Sequence, residues 1–279
     1  MPILGARGGA SSRGLGQFQG NPTAPTSPVA GYHLWLDAAN AGSFTYSSGT
    51  VVSQWTDRSA NAFTFTTPLG TSYQPSRSGT QNSKSTVVFD GSNDYLKSTA
   101  AKATWKYLHD GTGATIFIVA KSNEDVPGAA FNYGGILSTR NGGPGFSADY
   151  QLGATPTKIR FEISDNTLGT FLNNETNTVS TGYSVYAARL DPNNGTNNDK
   201  LPLYINGGIK LNPFVSSWSG GSTADPDATL HLGIGTPDLI GYAEYQLAGE
   251  IAEIIIYQSV LSDSDRIANI NYLRAKWGI

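Results

Sequence analysis

Short hydrophobic runs that alternate with polar residues, separated by Gly, Asn and Pro, recur along most of the chain. In the stretch KIRFEIS, Ile159, Phe161 and Ile163 alternate with Arg160 and Glu162. This is the period of a β-strand that buries one face and leaves the other towards solvent. The dominant pattern therefore predicts strands rather than helices.

Two other stretches indicate how the strands are arranged. Thr115–Ser122, TIFIVAKS, is a continuous apolar run of strand length, which predicts a central strand covered on both faces. In GYHLWLDA, Leu34 and Leu36 share one face of a strand and Trp35 takes the other. Both stretches predict a sheet with apolar residues on each side.

Asn206-Gly207, between the apolar runs of LPLYINGGIKL, is the strongest short signal for a β-hairpin. Roughly ten to fourteen strands separated by such turns can be counted, which is typical of a two-sheet sandwich. No internal repeat of fixed period is visible. The predicted class is all-β, with the sandwich beginning at Gly31.

A single helix is predicted at the C-terminal end. Ser262 can cap it, with Asp265 three residues later, as in a capping box. Its predicted apolar face has four residues at helical spacing, namely Ile267, Ile270, Leu273 and Trp277.

Residues 1–30 differ in composition from the rest of the chain. A Gly-rich segment leads into NPTAPTSPVAG, in which prolines and small residues favour an extended linker. Two interpretations stay open: a disordered tail, or an anchoring arm that orders on a partner through Arg7, Arg13 and Phe18. The sequence thus predicts an extended arm over residues 1–30 and a sandwich domain over residues 31–279.

Composition narrows the class of function. The net charge is −3, whereas a general nucleic-acid binder normally carries an excess of basic residues. The chain has no cysteine, so disulfides and thiolate metal sites are excluded. No run reaches about 18 apolar residues, so we expect no membrane insertion. The N-terminus also lacks the apolar core of a signal peptide. Charged residues make up only 14%, and such an uncharged polar, aromatic surface suits contact with sugars or other proteins.

Four stretches, in this order, resemble the laminin-G-like, concanavalin A-like lectin and glucanase family. They are VVFDGSNDYL, then TIFIVAKS, then SVYAARLD with LPLYINGGIKL, and finally LHLGIG with GEIAEIIIYQSVLSDSDRIANINYLRAKWG. The pieces L-Y-x-N-G and I-Y-x-x-x-L-S are specific when they occur in that order. The resemblance spans residues 31–279 and implies an antiparallel jelly roll.

A narrower resemblance concerns the setting of the domain. LWLDA, QWTDRSAN, VVFDGSNDYL and YLRAKWG are similar to the version found in tailed-phage structural proteins and large bacterial surface proteins. The opening PILGARGGASSRGLGQF is similar to Gly/Arg arms that begin phage virion proteins. This resemblance implies a virion-surface protein, assembled in the host cytoplasm, that binds other virion proteins through its arm. A homo-oligomer is expected on the same ground.

The decapeptide VVFDGSNDYL places Asp90, Asn93 and Asp94 in a Gly-containing turn. These three hard oxygen ligands, completed by carbonyls and water, could hold Ca²⁺. Asp, Asn and Gly are also the residues that a tight structural turn requires, because they bond their own backbone. The structural turn is the favoured interpretation, and calcium is the one cofactor that the sequence suggests.

Four aromatic residues are candidate glycan contacts because they lie in Gly- and Ser-rich contexts: Tyr133, Trp218, Tyr242 and Tyr245. Aromatic faces stack on the C–H-rich side of a sugar ring. The alternative for each is local packing over the sandwich.

Some proteins of the resembled family are glycoside hydrolases, and retaining hydrolysis needs two carboxyls about 5–5.5 Å apart. The strand candidates are Glu250 with Glu253 and Glu162 with Asp165. Each pair is spaced by three residues, which predicts opposite faces of a regular strand unless a bulge intervenes. The three histidines are far apart and form no metal-binding motif. We therefore expect no enzymatic activity.

Three hypotheses of function follow. The first is a non-enzymatic virion-surface protein of a tailed phage: a fibre, tail component or capsid decoration whose jelly roll binds a host-surface glycan. The second is a carbohydrate-binding module of a secreted or cell-surface bacterial protein, in an extracellular location. The third and most remote is a glycoside hydrolase.

Overall fold

The structure is a computed structural model that describes residues 25–67, 69–123, 133–140, 145–151, 158–164, 171–175, 182–208, 210–212, 214–216, 231–235 and 246–279. Six of the predicted contact residues lie outside these ranges: Arg7, Arg13, Phe18, Trp218, Tyr242 and Tyr245. No helix within the ranges is long and apolar enough to cross a membrane.

The strands, labelled β1–β18 in chain order, form two antiparallel layers that we call sheet I and sheet II. The pairing of Val51 in β3 with Ser76 in β5 joins the two layers into one continuous hydrogen-bonded sheet. Sheet I, which carries the C-terminal helix, consists of β1 (Leu34–Asp37), β5 (Ser76–Gln81), β6 (Lys84–Asp90), β8 (Ala114–Ser122), β13 (Ser184–Leu190), β14 (Leu203–Ile205), β15 (Lys210–Leu211) and β18 (Ala248–Tyr257). Sheet II consists of β2 (Phe44–Ser48), β3 (Val51–Thr56), β4 (Thr64–Thr66), β7 (Leu96–Ser98), β9 (Tyr133–Ser138), β10 (Gly145–Gln151), β11 (Lys158–Ser164), β12 (Phe171–Glu175), β16 (Phe214–Ser216) and β17 (Gly233–Ile234).

The helical elements are few. The α-helix, α1, spans Asp263–Trp277, and short 3-10 helices occupy Ala41–Ser43, Thr71–Tyr73, Lys102–Leu108 and Asn197–Asp199. The predicted all-β sandwich with one C-terminal helix is confirmed. The predicted strand count was too low, because several of the strands have only two or three residues.

Side chains from both sheets fill one apolar core between them. Sheet I contributes residues such as Leu34, Leu36, Ile116 and Ile118, and sheet II contributes Trp55, Phe65, Phe146 and Phe161. Alternate residues of the same strands in sheet I face outwards, and there α1 covers them in a second apolar layer. That layer includes Trp35, Phe117, Val119, Leu273 and Trp277. The strand β8 is thus buried on both faces, as its continuous apolar run predicts.

The Asn206-Gly207 hairpin is also confirmed. It joins β14 to β15, and both turn residues have positive φ, 51° and 75°. Gly adopts this backbone region without steric cost, and Asn tolerates it better than most residues.

The predicted apolar face of α1 is correct at three of its four residues. Ile270, Leu273 and Trp277 are buried, but Ile267 is 47% exposed. Asn269 takes a buried place at the interface, where its Oδ1 accepts a hydrogen bond from the Tyr257 hydroxyl at 3.1 Å. Polar anchors of this kind set the rotation of α1, and a count of apolar residues does not detect them.

The long strand β18 contains a bulge at Ala252, which has no partner of its own in the pairing with β8. Glu250 pairs with Lys121, and Glu253 bonds the indole of Trp35, both of which lie on the helix side of sheet I. The bulge that the sequence analysis left open as an exception is therefore present, and Glu250 and Glu253 do not occupy opposite faces. The extra residue restores a shared face.

The Glu253 carboxylate is fully buried beneath α1. It accepts hydrogen bonds from the indole nitrogens of Trp35 and Trp277, each at 2.7 Å, and from the Tyr272 hydroxyl at 2.9 Å. The Lys276 ammonium lies 2.7 Å from it and 2.7 Å from Asp37. Burial raises the pKa of Glu253 above its ordinary value, and Lys276 opposes that rise. The carboxylate thus joins β1, β18 and α1.

The chain enters the domain on this helix side. The Val29 N–H donates to Asn269 Oδ1 at 3.0 Å, and the Val29 carbonyl accepts from the Tyr257 hydroxyl at 2.6 Å. Pro28, which precedes Val29, is buried. Docking therefore begins within the predicted arm, three residues before the predicted start of the domain.

We expect Glu253→Gln to lower the free energy of unfolding by about 3 kcal/mol, because one amide oxygen cannot replace two anionic acceptors in a buried site. Urea unfolding followed by tryptophan fluorescence measures the change. Asp199→Asn is the control, because it removes only the exposed partner of Lys210 and should cost less than about 1 kcal/mol. Equal unfolding midpoints for the two variants would contradict the anchoring role of Glu253.

Candidate functional site

A face of charged and polar side chains covers the outer side of sheet II, away from the core. We call it the polar face, and its strand residues are Ser147, Asp149, Gln151, Lys158, Arg160, Glu162 and Glu175. Arg140, which follows β9, joins the face through its ion pair with Glu162. Strand alternation places it there, because the intervening residues of β10 and β11 belong to the apolar core.

Register across three strands brings opposite charges side by side. Asp149 of β10 lies directly opposite Arg160 of β11, and Arg160 lies opposite Glu175 of β12. Directly opposed side chains in antiparallel strands are close enough to pair, so a cation lies between two carboxylates.

The pairs formed on this face are specific in geometry. Arg160 donates from Nε to Asp149 Oδ1 at 3.2 Å and from Nη2 to Oδ2 at 3.0 Å, which is a bidentate arrangement. Its Nη1 lies 3.1 Å from Glu162 Oε2, and Arg140 pairs with the other oxygen of that carboxylate. Lys158 Nζ donates to Glu175 Oε1 at 2.7 Å.

Exposure increases across the face from β10 to β12. Asp149 is fully buried and Glu162 is 5% exposed, whereas the side chains of Lys158 and Glu175 are 24% and 35% exposed. The more exposed groups, Lys158 and Glu175, are held by their own ion pair. A ligand would therefore meet Lys158, Glu175 and the edge of Arg160 first.

This arrangement offers oriented donors and acceptors at short spacing. Carboxylates accept hydrogen bonds from hydroxyls, and guanidinium and ammonium groups donate them. Since the side chains are already fixed by their ion pairs, little side-chain entropy is lost when a ligand binds. The chemistry fits a ligand with several adjacent hydroxyls.

A buried ion-pair network is weak evidence for stability, because desolvation of the charges offsets their attraction. Apolar residues of similar volume would serve a purely structural role equally well.

The sequence identified two residues of this face, Arg160 and Glu162, but only as the polar side of an amphipathic strand. The signal that would have identified the site is the pairing with β10 and β12, which is not local in sequence. Of the predicted aromatic contacts, Tyr133 lies in β9 in register with Gln151, at the margin of the polar face. Its side chain, like the other three aromatics, lies outside the described set.

The predicted turn at Asp90, Asn93 and Asp94 lies elsewhere, between β6 and β7. Asp90 Oδ1 accepts the backbone N–H groups of Ser92, Asn93 and Asp94 at 2.8, 3.1 and 3.3 Å. Asp94 Oδ2 accepts the Asp90 N–H at 3.0 Å. These are the bonds of a structural turn, which closes on itself through its own backbone.

The calcium interpretation of this turn stays a prediction. Across the part of the chain that the structure describes, no group of three or more His, Cys, Asp or Glu side chains could hold a metal ion. Burial, followed by the charge of Asp90, raises the pKa of Asp94 from 3.8 to about 6. Two carboxyls thus crowd one turn.

The carboxyl pairs considered for hydrolysis have other partners. Glu250 bonds Lys121, Thr86 and Tyr183, at 2.7, 2.6 and 2.5 Å. Burial raises the pKa of Glu250, but the bonds from Lys121, Thr86 and Tyr183 outweigh it and hold the pKa below its ordinary value. Glu253 lies beneath α1, where a substrate cannot reach it. The partner proposed for Glu162, Asp165, lies outside the described residues.

No protein-family model and no curated protein matches the chain. Among solved structures, a Trypanosoma rangeli sialidase in complex with 2,3-difluorosialic acid matches 89% of this chain with a TM-score of 0.53 and 13% identity. This chain covers 34% of that sialidase chain. The sialidase CBM40 of Ruminococcus gnavus bound to α2,3-sialyllactose matches 58% of this chain and 83% of its own, with a TM-score of 0.43 and 19% identity. At such identity the likeness to the trypanosomal structure shows the β-sandwich fold alone.

We expect Asp94→Asn to remove a pH dependence of stability. A carboxyl whose pKa is raised in the folded state stabilises the fold most when protonated, so the wild-type contribution is lost as pH rises from about 4 to about 6. Above pH 6 the variant should be more stable than the wild type by about 1 kcal/mol, since the turn is partly solvated and screens the full effect. Urea titrations at several pH values measure the difference.

The control is Asp110→Asn, in which another carboxyl that accepts a turn N–H, from Thr112, is replaced. The same titrations, repeated with millimolar CaCl₂, separate the two interpretations of the Asp90 turn. A rise in wild-type stability with calcium, absent in Asp94→Asn, would replace the structural interpretation with the metal site.

Proposed function

We propose that this chain is a non-catalytic carbohydrate-binding module and that the polar face of sheet II is its binding surface. The single observation that supports the proposal most is the row Asp149, Arg160 and Glu175 across three strands. The partly exposed end of this row, at Glu175 and its partner Lys158, presents fixed donors and acceptors on the outer side of sheet II. Polar groups held in this way supply the orientation and specificity of a ligand site.

The fold is compatible with this function but does not decide it, because one fold serves many functions. The trypanosomal sialidase that shares the fold is complexed with a sialic acid derivative. That match makes sugars a reasonable class of ligand to test first. The argument for binding here comes from the side chains of the polar face.

A second candidate is the displayed virion component suggested by the narrower resemblance, and one observation favours tethered display in general. Val29 is held on the helix side of sheet I, whereas the polar face lies on the far side of sheet II. A tether that leaves at Val29 would direct the polar face away from its support. Attachment to a phage particle, the virion partners and the homo-oligomer remain predictions that rest on the sequence alone.

We expect Lys158→Met to weaken glycan binding about tenfold, because it removes a charge-assisted donor from the exposed part of the polar face. The measurement is a glycan array that contains neutral and acidic oligosaccharides, followed by calorimetric titration of the best ligand. Unfolding midpoints measured in parallel show whether the variant remains folded.

Lys210→Met is a matched control. Lys210 also pairs with a partly exposed carboxylate, that of Asp199, but it lies on β15 of sheet I. Equal losses in the two variants, or binding by the wild type with no loss in Lys158→Met, would contradict the assignment of the polar face. Turnover of any array glycan would contradict the non-catalytic part of the proposal.

A further inference from the structure

The polar face has as many negative charges as positive ones. Its three cations, Arg140, Lys158 and Arg160, are matched by three carboxylates, Asp149, Glu162 and Glu175. Each of the three cations forms an ion pair with at least one of these carboxylates. The face therefore presents no surplus positive charge from its own residues.

An acidic sugar would have to compete with these carboxylates. To take the bidentate place on Arg160, a ligand carboxylate must displace Asp149, which is fully buried and is held by two bonds. A buried charge left without its partner costs about 3–5 kcal/mol. The gain from a new ion pair would not offset that cost.

A neutral sugar has no carboxylate and does not compete with those of the polar face. Its hydroxyls can donate to the free lone pairs of Glu175 and accept from Lys158 without breaking the ion pair between them. We infer that the polar face binds uncharged polyhydroxylated sugars and discriminates against sugars that carry a carboxylate. The inference rests on the proposed function, and it departs from the anionic ligand of the trypanosomal structure.

The test compares matched pairs on one array: each neutral oligosaccharide beside its sialylated or uronic acid derivative. We expect the neutral member to bind at least about tenfold more tightly, a difference of about 1.4 kcal/mol. Acidic members that bind as tightly or more tightly would overturn the inference and leave carbohydrate binding intact. Absence of binding to every glycan would overturn both the inference and the proposed function.

Two variants test the cause of the selectivity. Glu175→Gln frees Lys158, and Asp149→Asn frees one side of Arg160, so each should reduce or reverse the preference for the neutral member by about tenfold. Glu175 is partly exposed and tolerates replacement, so the first variant decides the matter even where the second fails to fold. Asp199→Asn, which frees Lys210 on sheet I, should leave the preference unchanged. Unaltered selectivity in a folded Glu175→Gln protein would show that paired charges are not its cause.

Discussion

A carboxylate shielded from solvent must find donors for its lone pairs, and Glu253 finds them in two indoles, a phenol and an ammonium. These donors come from β1 and α1, while Glu253 itself belongs to β18. The three elements can meet this requirement only if α1 lies over sheet I in one rotation and at one depth. The position of the helix is thus set by a polar requirement inside an apolar layer.

The bulge at Ala252 follows from the same requirement. A regular strand would direct Glu253 into the core between the sheets, where the neighbours are apolar. One extra residue moves it to the helix side and leaves Ile254 and Ile256 in the core. The cost of an irregular ladder is offset by donors that only α1 provides. The outer side of sheet I is thus closed by α1.

The patterns that are local in sequence predicted the local structure. Alternation in KIRFEIS placed Ile159 and Phe161 in the core, and Asn206-Gly207 produced its hairpin. The run IAEIIIY, by contrast, is apolar at nearly every position. It has no alternation of apolar and polar residues whose interruption would indicate a bulge. Ile267 was misplaced for a related reason, because Asn269 and Tyr272 fix the rotation of α1 by hydrogen bonds rather than by hydrophobicity.

The candidate site could not be predicted from the sequence because it depends on strand pairing. Asp149 and Arg160 are separated by eleven residues, and Arg160 and Glu175 by fifteen. Neither separation in sequence predicts a contact, and each residue alone resembles an ordinary solvent-facing charge. Only the register of β10, β11 and β12 turns three separate charges into a row.

The proposed site would recognise uncharged ligands with charged residues. A lone arginine on a surface attracts any anion, and its long side chain loses rotational freedom when it binds. An arginine already held by Asp149 and Glu162 has lost that freedom on folding and has its charge balanced. Such an arginine offers a ligand hydrogen-bonding groups at fixed positions but no net charge. Such a surface selects by the geometry of hydroxyl groups, so its specificity depends on the rigidity of the sheet that carries it.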